Sequence, residues 1–321
     1  MSENRKEPIN PVDSETGPAQ RPKIGLALGG GAARGWAHIG ALRALLRHGY
    51  EPDVVVGTSV GALVGGCYLA GALDPLEAWA RSLTKRRMIS YFDVMLNGSG
   101  IISGGRLEKV MRRYLEGKRI ETLSKPFVAV ATELATGHEI WMRDGDLIDS
   151  LQASFALPGV FAPKLRQDRW LIDGALVNPL PVSVCRALGA RLVIAVGCHS
   201  GAFGQAAVRR REKFGEIEFM EGQELSEASS PGPHKMIMKQ IFGVNARSPG
   251  IGAVMLASFN IIMDRLTRAR LAGDPADVTV LPNIGHVGLL DFDKADELIR
   301  AGEAAVEAEL PKLEEAMMIL A

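Results

Sequence analysis

The stretch from Asp53 to Val64 permits few local structures. The β-branched run Val54 to Val56 predicts a short buried strand, and the small residues after Ser59 predict a helix. Between them the pattern Gly-x-Ser-x-Gly, from Gly57 to Gly61, predicts a tight turn with the serine at its tip. Glycine on each side permits strained backbone dihedrals and keeps other side chains away from the hydroxyl. This is the geometry of an exposed nucleophile, although the pattern alone also fits a packed turn.

A glycine-rich loop occurs earlier in the chain. Lys23 to Leu28 predicts a buried strand, Gly29 to Gly35 forms the loop, and Trp36 to Arg47 predicts an amphipathic helix. Backbone N–H groups at such a helix start can hold an anion. Trp36 and Ala37 stand where a phosphate-binding loop needs Lys and Ser or Thr, and the dinucleotide fingerprint lacks its final glycine. The remaining alternatives are an oxyanion hole for ester cleavage and a turn without a ligand.

A candidate acid follows a third short strand. A hairpin around Arg169 to Ile172 leads into Asp173, and Gly174 and Ala175 are too small to bury its carboxylate. Such an aspartate is commonly a turn or cap residue. Sites in α/β proteins nevertheless assemble at the carboxyl ends of strands. Since Ser59 and Asp173 both occupy such ends, we expect them to share a site.

Strands and helices alternate along most of the chain. This pattern predicts a mainly parallel sheet with helices on both faces. The remaining predicted strands are Phe127 to Glu133, Glu139 to Arg143, Leu192 to Val196 and Asp277 to Leu281. The predicted helices include Gly105 to Leu115, Leu147 to Phe155, Pro181 to Leu188, Ile251 to Met263, Asp293 to Glu309 and another starting at Pro311.

The N-terminal end and one internal segment lack this alternation. Residues 1–22 are polar and proline-containing with no apolar run, so we expect a disordered tail rather than a signal peptide or anchor. Residues 199–247 carry Arg209 to Arg211 and acidic and proline-glycine patches, which indicate a mobile lid or insertion. The length of 321 residues suits one α/β domain or two small ones, and we expect one over residues 23–321.

Composition limits the partners. Lys plus Arg and Asp plus Glu number 37 each, so no global field attracts nucleic acid, and membrane contact must be local. Cys67, Cys185 and Cys198 lie in apolar surroundings and indicate reduced core thiols, hence a cytoplasmic protein. Peripheral attachment to the inner membrane face stays open.

Two apolar stretches raise the question of membrane contact. Val54 to Leu73 has no charged residue, but its glycines and the strand-turn-helix prediction disfavour a membrane span. The helix from Ile251 to Met263 is apolar nearly all round. It is either a core helix or a contact for an acyl chain or membrane surface, with Arg265, Arg268 and Arg270 at headgroup level.

In this order the three motifs closely resemble the patatin-like phospholipase family, particularly the bacterial branch related to the catalytic domain of neuropathy target esterase. The resemblance covers Lys23 to Pro181 strongly and extends to Ile284 to Gly288 and Leu289 to Asp293. Ala175 stands where some relatives have glycine. The motif glycines are Gly29, Gly35, Gly57, Gly61 and Gly174.

The resemblance implies a three-layer α/β/α sandwich and a Ser-Asp dyad that hydrolyses acyl esters of phospholipids or lysophospholipids. Ser59 would be the nucleophile and Asp173 the general base. The oxyanion hole would be formed by the N–H groups around Gly30, Gly31 and Ala32, with Arg34 orienting that loop. We expect no metal and no cofactor. The expected partner is a lipid or acyl-ester substrate, with transient membrane contact and a homo-oligomer left open.

Other functions fit the same residues. A serine normally needs a histidine base, and His286 would complete a triad in the order nucleophile, acid, histidine. Acyl transfer to an alcohol, thiol or lysolipid would use the same site as hydrolysis. A catalytically silent regulatory or membrane-associated protein could keep the fold and bind a partner through Arg209 to Arg211 or the Ile251 helix.

Overall fold

The computed structural model describes residues 21–84, 100–102, 105–198 and 251–320. The predicted tail lies outside the described residues up to residue 20. Arg21 is described, and its guanidinium donates to both carboxylate oxygens of Asp53 at 2.8 and 2.7 Å. This bidentate ion pair attaches residue 21 to the fold. The predicted lid at 199–247 lies outside the described residues.

In the described part of the chain, eight strands form one mixed sheet. Its order is β10-β9-β1-β2-β4-β8-β7, and β5 also pairs with β4. Strands β10, β9, β1, β2 and β4 run parallel, whereas β5 and β8 are antiparallel to β4, and β7 to β8. The strands of this sheet are β1 Ile24–Leu28, β2 Val54–Thr58, β4 Phe127–Glu133, β5 Glu139–Met142, β7 Lys164–Arg166, β8 Arg169–Asp173, β9 Leu192–Val196 and β10 Val278–Val280. A separate pair consists of β3 Gly100–Ile102 and β6 Gly159–Phe161.

Helices cover both faces of the sheet. They are α1 Ala37–Arg47, α2 Val60–Leu69, α3 Leu73–Ser82, α4 Gly105–Leu115, α5 Leu147–Ser154, α6 Val182–Ala187, α7 Ile251–Gly273 and α8 Ala295–Leu320. Along β2, Val55 packs with α1, α2 and α8 on one face, while Val54 and Val56 pack with α6 on the other. This alternation is the period of two expected of a strand buried on both faces. The fold is a three-layer α/β/α sandwich, as predicted.

Strands β2 and β8 meet end to end along one edge of β4. Thr58, the last residue of β2, is paired with Val130, and Asp173, the last residue of β8, is paired with the next position, Ala131. Since β2 is parallel and β8 antiparallel to β4, their carboxyl ends point toward each other. The residue after Thr58 is therefore brought directly against Asp173.

Two helix predictions are corrected. Pro311 lies inside α8 and does not start a new helix. A proline removes one backbone hydrogen bond, but Leu310 and Leu313 beside it continue the packing of α8 on the core. The helix predicted to end at Met263 continues to Gly273, and Arg270 donates to the Val177 carbonyl at 2.7 Å, so its guanidinium is tied to the protein.

The uncharged stretch from Val54 to Leu73 forms β2 and α2. Among the described helices, none combines the length and apolar character that a membrane crossing requires. Cys67, Cys185 and Cys198 are buried and unpaired, as expected for core thiols.

Helices α1 and α8 touch at two glycines. A Cβ atom on Gly40 would lie 1.8 Å from the carbonyl oxygen of Ile299, and one on Gly302 would lie 1.9 Å from that of Ala37. These backbones are in direct contact, so a side chain at either position would force the helices apart.

We predict that Gly40→Val lowers the free energy of unfolding by about 3 kcal/mol, because α1 must move off α8 to admit the side chain. The control is Ala304→Val, which places the same side chain at an exposed position of α8 and should cost about 0.5 kcal/mol. Urea unfolding measures both. Equal stability of Gly40→Val and wild type would contradict the contact.

Candidate active site

Ser59 occupies the sharp turn between β2 and α2. Its backbone has φ 57° and ψ −127°, a region that residues with a side chain rarely adopt. A Cβ on Gly57 would lie 2.3 Å from the Cα of Ala62, and one on Gly61 would lie 2.2 Å from the carbonyl oxygen of Leu28. Both positions therefore require glycine for the turn to close. The turn places the Ser59 hydroxyl at the carboxyl edge of the sheet.

Asp173 holds the Ser59 hydroxyl. Ser59 Oγ donates to Asp173 Oδ2 at 2.7 Å, and the N–H of Ala175 donates to Oδ1 at 2.9 Å. The main-chain carbonyl of Asp173 accepts from Thr132 Oγ1 at 2.8 Å. Both carboxylate oxygens thus have a donor, and the aspartate is fixed at the end of β8.

Burial sets the ionisation of this pair. Asp173 is 2% exposed and Ser59 7% exposed. Burial raises the pKa of Asp173 to about 6, against the hydrogen bonds from Ala175 and Ser59, which lower it. A carboxylate with a pKa of about 6 is a stronger base than an ordinary aspartate and is still largely ionised at neutral pH.

The first glycines of the loop are anchored to neighbouring strands and turns. The N–H of Gly29 donates to the Val196 carbonyl at 3.0 Å, and the N–H of Gly30 donates to the Pro179 carbonyl at 2.9 Å. Gly30 is therefore not a free donor, and that part of the sequence prediction is corrected. The sequence prediction missed this hydrogen bond because Pro179 lies far from Gly30 along the chain.

Gly31 and Ala32 present the remaining N–H groups. Among the described residues, neither N–H has a hydrogen-bond partner, while the next N–H, on Ala33, donates to Leu289 at 3.0 Å. Ala32, the first residue of the short 3₁₀ helix Ala32–Trp36, has φ 48°, in the left-handed region. Both Gly31 and Ala32 border the same cavity as Ser59. Two adjacent residues with N–H groups thus lie at the same cavity as the Ser59 hydroxyl.

Arg34 joins this loop to distant segments. Its side chain is buried, and Nε donates to the Val287 carbonyl at 2.7 Å while Nη1 donates to Asn260 Oδ1 at 3.0 Å. The loop is thereby tied to α7 and to the segment before α8. The other two motif glycines are packing positions: Gly35 lies against Val60, and Gly174 against the Val130 carbonyl.

An apolar cavity of about 110 Å³ lies over these groups. Its polar floor contains Ser59, Asp173, Gly31 and Ala32. The walls are aliphatic and aromatic, with Trp36, Leu63, Trp79, Leu107, Phe155, Leu157, Phe161, Met263, Leu289 and Phe292 among them. Such a site suits a molecule with one reactive polar group and a long apolar part.

The candidate histidine, His286, lies on the surface and not beside Ser59. His286 is exposed and pairs with Glu297 on the surface, whereas Asp173 binds Ser59 and Ala175. His38 is buried beneath the glycine loop, with Nε2 at 2.7 Å from the Gly29 carbonyl. Burial lowers the pKa of His38 to about 4, so it is neutral and holds the loop. The structure does not bring His286 to Ser59.

Ser154 supports the turn and was not identified from sequence. Its hydroxyl accepts the N–H of Ser59 at 2.9 Å and donates to the Val130 carbonyl at 2.6 Å. The hydroxyl thus bridges the end of β2 to β4 where the direct ladder stops. Ser154 lies in the last turn of α5, in no motif, so no local pattern could have indicated it.

Comparison with known proteins shows the family of the chain. The family model described as patatin-like phospholipase matches residues 26–186. The chain belongs to the patatin-like phospholipase family. An uncharacterised NTE family protein of Mycobacterium tuberculosis is 40% identical over 185 residues, which are 58% of this chain and 51% of that protein. Patatin-like phospholipase domain-containing protein 6 of Homo sapiens is 32% identical over 180 residues, 54% of this chain and 13% of that protein.

Two solved structures are also similar. Human GIVD cytosolic phospholipase A2 has a TM-score of 0.38 at 13% identity, covering 93% of this chain and 59% of its own. VipD from Legionella pneumophila has a TM-score of 0.35 at 12% identity, and the match covers 92% of this chain and 77% of the VipD chain. The chain spans about half the length of the mycobacterial relatives, 51%. The family resemblance drawn from the motifs, including its NTE branch, is confirmed.

We predict that Ser154→Ala lowers the free energy of unfolding by about 2 kcal/mol, because it leaves the buried Ser59 N–H and Val130 carbonyl without their bridge. Ser124→Ala is the control, since that hydroxyl makes one 3.4 Å contact with Leu69 in a partly buried place, and it should change stability by about 0.5 kcal/mol or less. Urea unfolding with fluorescence detection compares them. A loss no larger than that of the control would refute the bridge.

Proposed function

We propose that this chain is a serine hydrolase that cleaves fatty acyl esters of phospholipids or lysophospholipids through a Ser59–Asp173 dyad and an acyl-enzyme. The observation that carries the proposal is the 2.7 Å hydrogen bond from Ser59 Oγ to Asp173 at the floor of an apolar cavity. Membership of the patatin-like phospholipase family supports a lipid ester as the substrate. We assign this activity to one domain over residues 23–321, since one sheet joins strands from Ile24 to Val280.

In the first half of the reaction, Ser59 Oγ attacks the ester carbonyl carbon. Asp173 takes the hydroxyl proton as the bond forms, through the hydrogen bond already present. The tetrahedral intermediate then collapses, the C–O bond to the alcohol breaks, and Asp173 returns the proton to the leaving oxygen. The products are an acyl ester on Ser59 and a free alcohol or lysolipid.

The carbonyl oxygen becomes negatively charged in this step. Among the described residues the N–H groups of Gly31 and Ala32 have no hydrogen-bond acceptor, and both residues line the cavity. We assign the oxyanion hole to these two donors. Each donor of this kind contributes about 10²–10³-fold to the rate, which compensates for the modest basicity of a carboxylate.

In the second half, water attacks the acyl carbon. Asp173 removes a proton from the water, the bond to Ser59 Oγ breaks, and Ser59 recovers its proton from Asp173. The fatty acid leaves. The apolar walls hold the acyl chain throughout, and the substrate class implies transient contact with a lipid surface.

We predict that Ser59→Ala and Asp173→Asn each lower kcat/KM for p-nitrophenyl butyrate by about 10³-fold or more, since each removes one half of the dyad. Asp149→Asn, on the exposed side of α5, is the control and should retain wild-type activity. Circular dichroism checks that the folds are intact. More than a tenth of wild-type activity in either folded dyad variant would disprove the dyad.

Two further assays separate the alternative functions. A fluorophosphonate probe should label wild type and fail to label Ser59→Ala. With a labelled phospholipid and an added alcohol, hydrolysis predicts free fatty acid as the main acyl product. Acyl mainly on the added alcohol would make the enzyme a transferase, and an unlabelled wild-type protein would indicate a silent binding protein.

We predict that kcat/KM rises with pH through about 6 and is level above it. Asp173 must be ionised to accept the proton, and its pKa is raised to about 6, so activity should fall about tenfold per pH unit below that value. His286→Gln and His48→Gln should leave this profile unchanged, since both side chains pair with surface glutamates. The profile is measured by chromatography of released fatty acid. A flat profile between about pH 5 and 7 would rule out Asp173 as the base.

A further inference from the structure

A second apolar cavity lies next to the one over Ser59. It has a volume of about 30 Å³ and is enclosed by side chains from α2, α3 and α4. The side chains that border both cavities are Leu63, Trp79 and Leu107. These three form the partition between the two spaces, and each comes from a different helix.

The order of residues along α2 shows how the cavities are arranged. Val60 borders only the first cavity, Leu63 borders both, and Cys67 borders only the second. Spacings of three and four residues keep these side chains on one face of the helix. At 1.5 Å per residue, Cys67 lies about 12 Å along the axis from Ser59. The second cavity is thus the continuation of the first, away from the nucleophile.

Helix α3 repeats this order in the opposite chain direction. Leu83, the residue directly after α3, borders only the first cavity, Trp79 borders both, and Leu76 borders only the second. On α4, Leu107 borders both, and Met111 only the second. Residues of α2 and of α3 with its C-terminal end therefore give the sequence of first cavity, partition and second cavity, and α4 gives the last two of these, which is the arrangement of one channel with a constriction.

One side chain of the constriction, Trp79, packs against a residue that lines the first cavity. Trp79 packs edge-to-face on Trp36, with ring centroids 5.8 Å apart and an interplanar angle of 86°. Trp36 is fully buried and also contacts Phe292. The indole of Trp79 is thus fixed in position. Leu107 is aliphatic and partly buried. Shortening this side chain is therefore the substitution we choose to widen the constriction.

We propose that the two cavities form one acyl channel and that Leu63, Trp79 and Leu107 set its preference for chain length. The inference rests on the proposed function. A short acyl chain on Ser59 ends before the partition, whereas a long chain passes it and fills the space beside Cys67 and Met111. Each methylene that gains this apolar environment improves binding about fourfold.

The test compares p-nitrophenyl esters of butyrate, octanoate and palmitate in one detergent system. The quantity measured is the ratio of kcat/KM for palmitate to kcat/KM for butyrate within each protein. Because both values scale with the concentration of folded enzyme, a partial loss of folding does not change this ratio. Wild type should cleave palmitate at least as well as butyrate. Cys67→Leu fills the second cavity and should lower the ratio at least tenfold, with butyrate within twofold of wild type.

Two further variants keep the outcome decisive if Cys67→Leu folds poorly. Cys67→Ala enlarges the same space and should keep or raise the ratio. Leu107→Ala opens the constriction and should raise the ratio about threefold or more. Leu123→Ala, a partly buried leucine that borders neither cavity, is its control and should leave the ratio unchanged.

The possible outcomes distinguish failure of the acyl channel from failure of the proposed hydrolase function. A palmitate-to-butyrate ratio that is the same in wild type, Cys67→Leu and Leu107→Ala, with all three active, overturns the channel and leaves the hydrolase intact. Cleavage of butyrate but not palmitate by wild type also overturns it. No cleavage of any of the three esters overturns the proposed function itself.

Discussion

The end-to-end meeting of β2 and β8 along one edge of β4 is the constraint on which the site depends. Thr58 and Asp173 occupy adjacent register positions on β4, opposite Val130 and Ala131. A shift of β8 by one residue would turn the Asp173 side chain to the other face of the sheet. The backbone ladder therefore determines which carboxylate reaches Ser59, and the buried hydrogen bonds of Thr132 and Ala175 then fix its orientation.

The same arrangement explains the chemistry of the pair. Ser59 and Asp173 are both buried, and at Asp173 burial outweighs two hydrogen bonds and raises the pKa to about 6. The strained dihedrals of Ser59 are sustained because Gly57 and Gly61 let backbone segments touch around it. Rigid packing thus supplies a basic carboxylate and an accessible hydroxyl together.

The sequence predicted those strands and helices whose formation depends on residues close together in the chain. The strands Phe127–Glu133 and Leu192–Val196 and the helix Gly105–Leu115 were predicted to the residue, because each is a distinct periodic or apolar run. Long-range pairing could not be predicted in this way. The bond from Gly30 to Pro179, the bridge by Ser154 and the partition at Trp79 all join residues far apart in sequence. A proline inside α8 was misjudged because tertiary packing outweighed one lost hydrogen bond.

The anchoring of Arg34 has a consequence for biosynthesis. Its guanidinium binds a carbonyl 253 residues further along the chain, at Val287, and the neighbouring Ala33 binds Leu289. While the chain emerges from the ribosome, the strand-turn-helix unit around Ser59 can form long before these anchors have been synthesised. The loop that offers Gly31 and Ala32 gains its final shape only when the last third of the polypeptide docks. A nascent or truncated chain would therefore carry Ser59 without the finished glycine loop beside it.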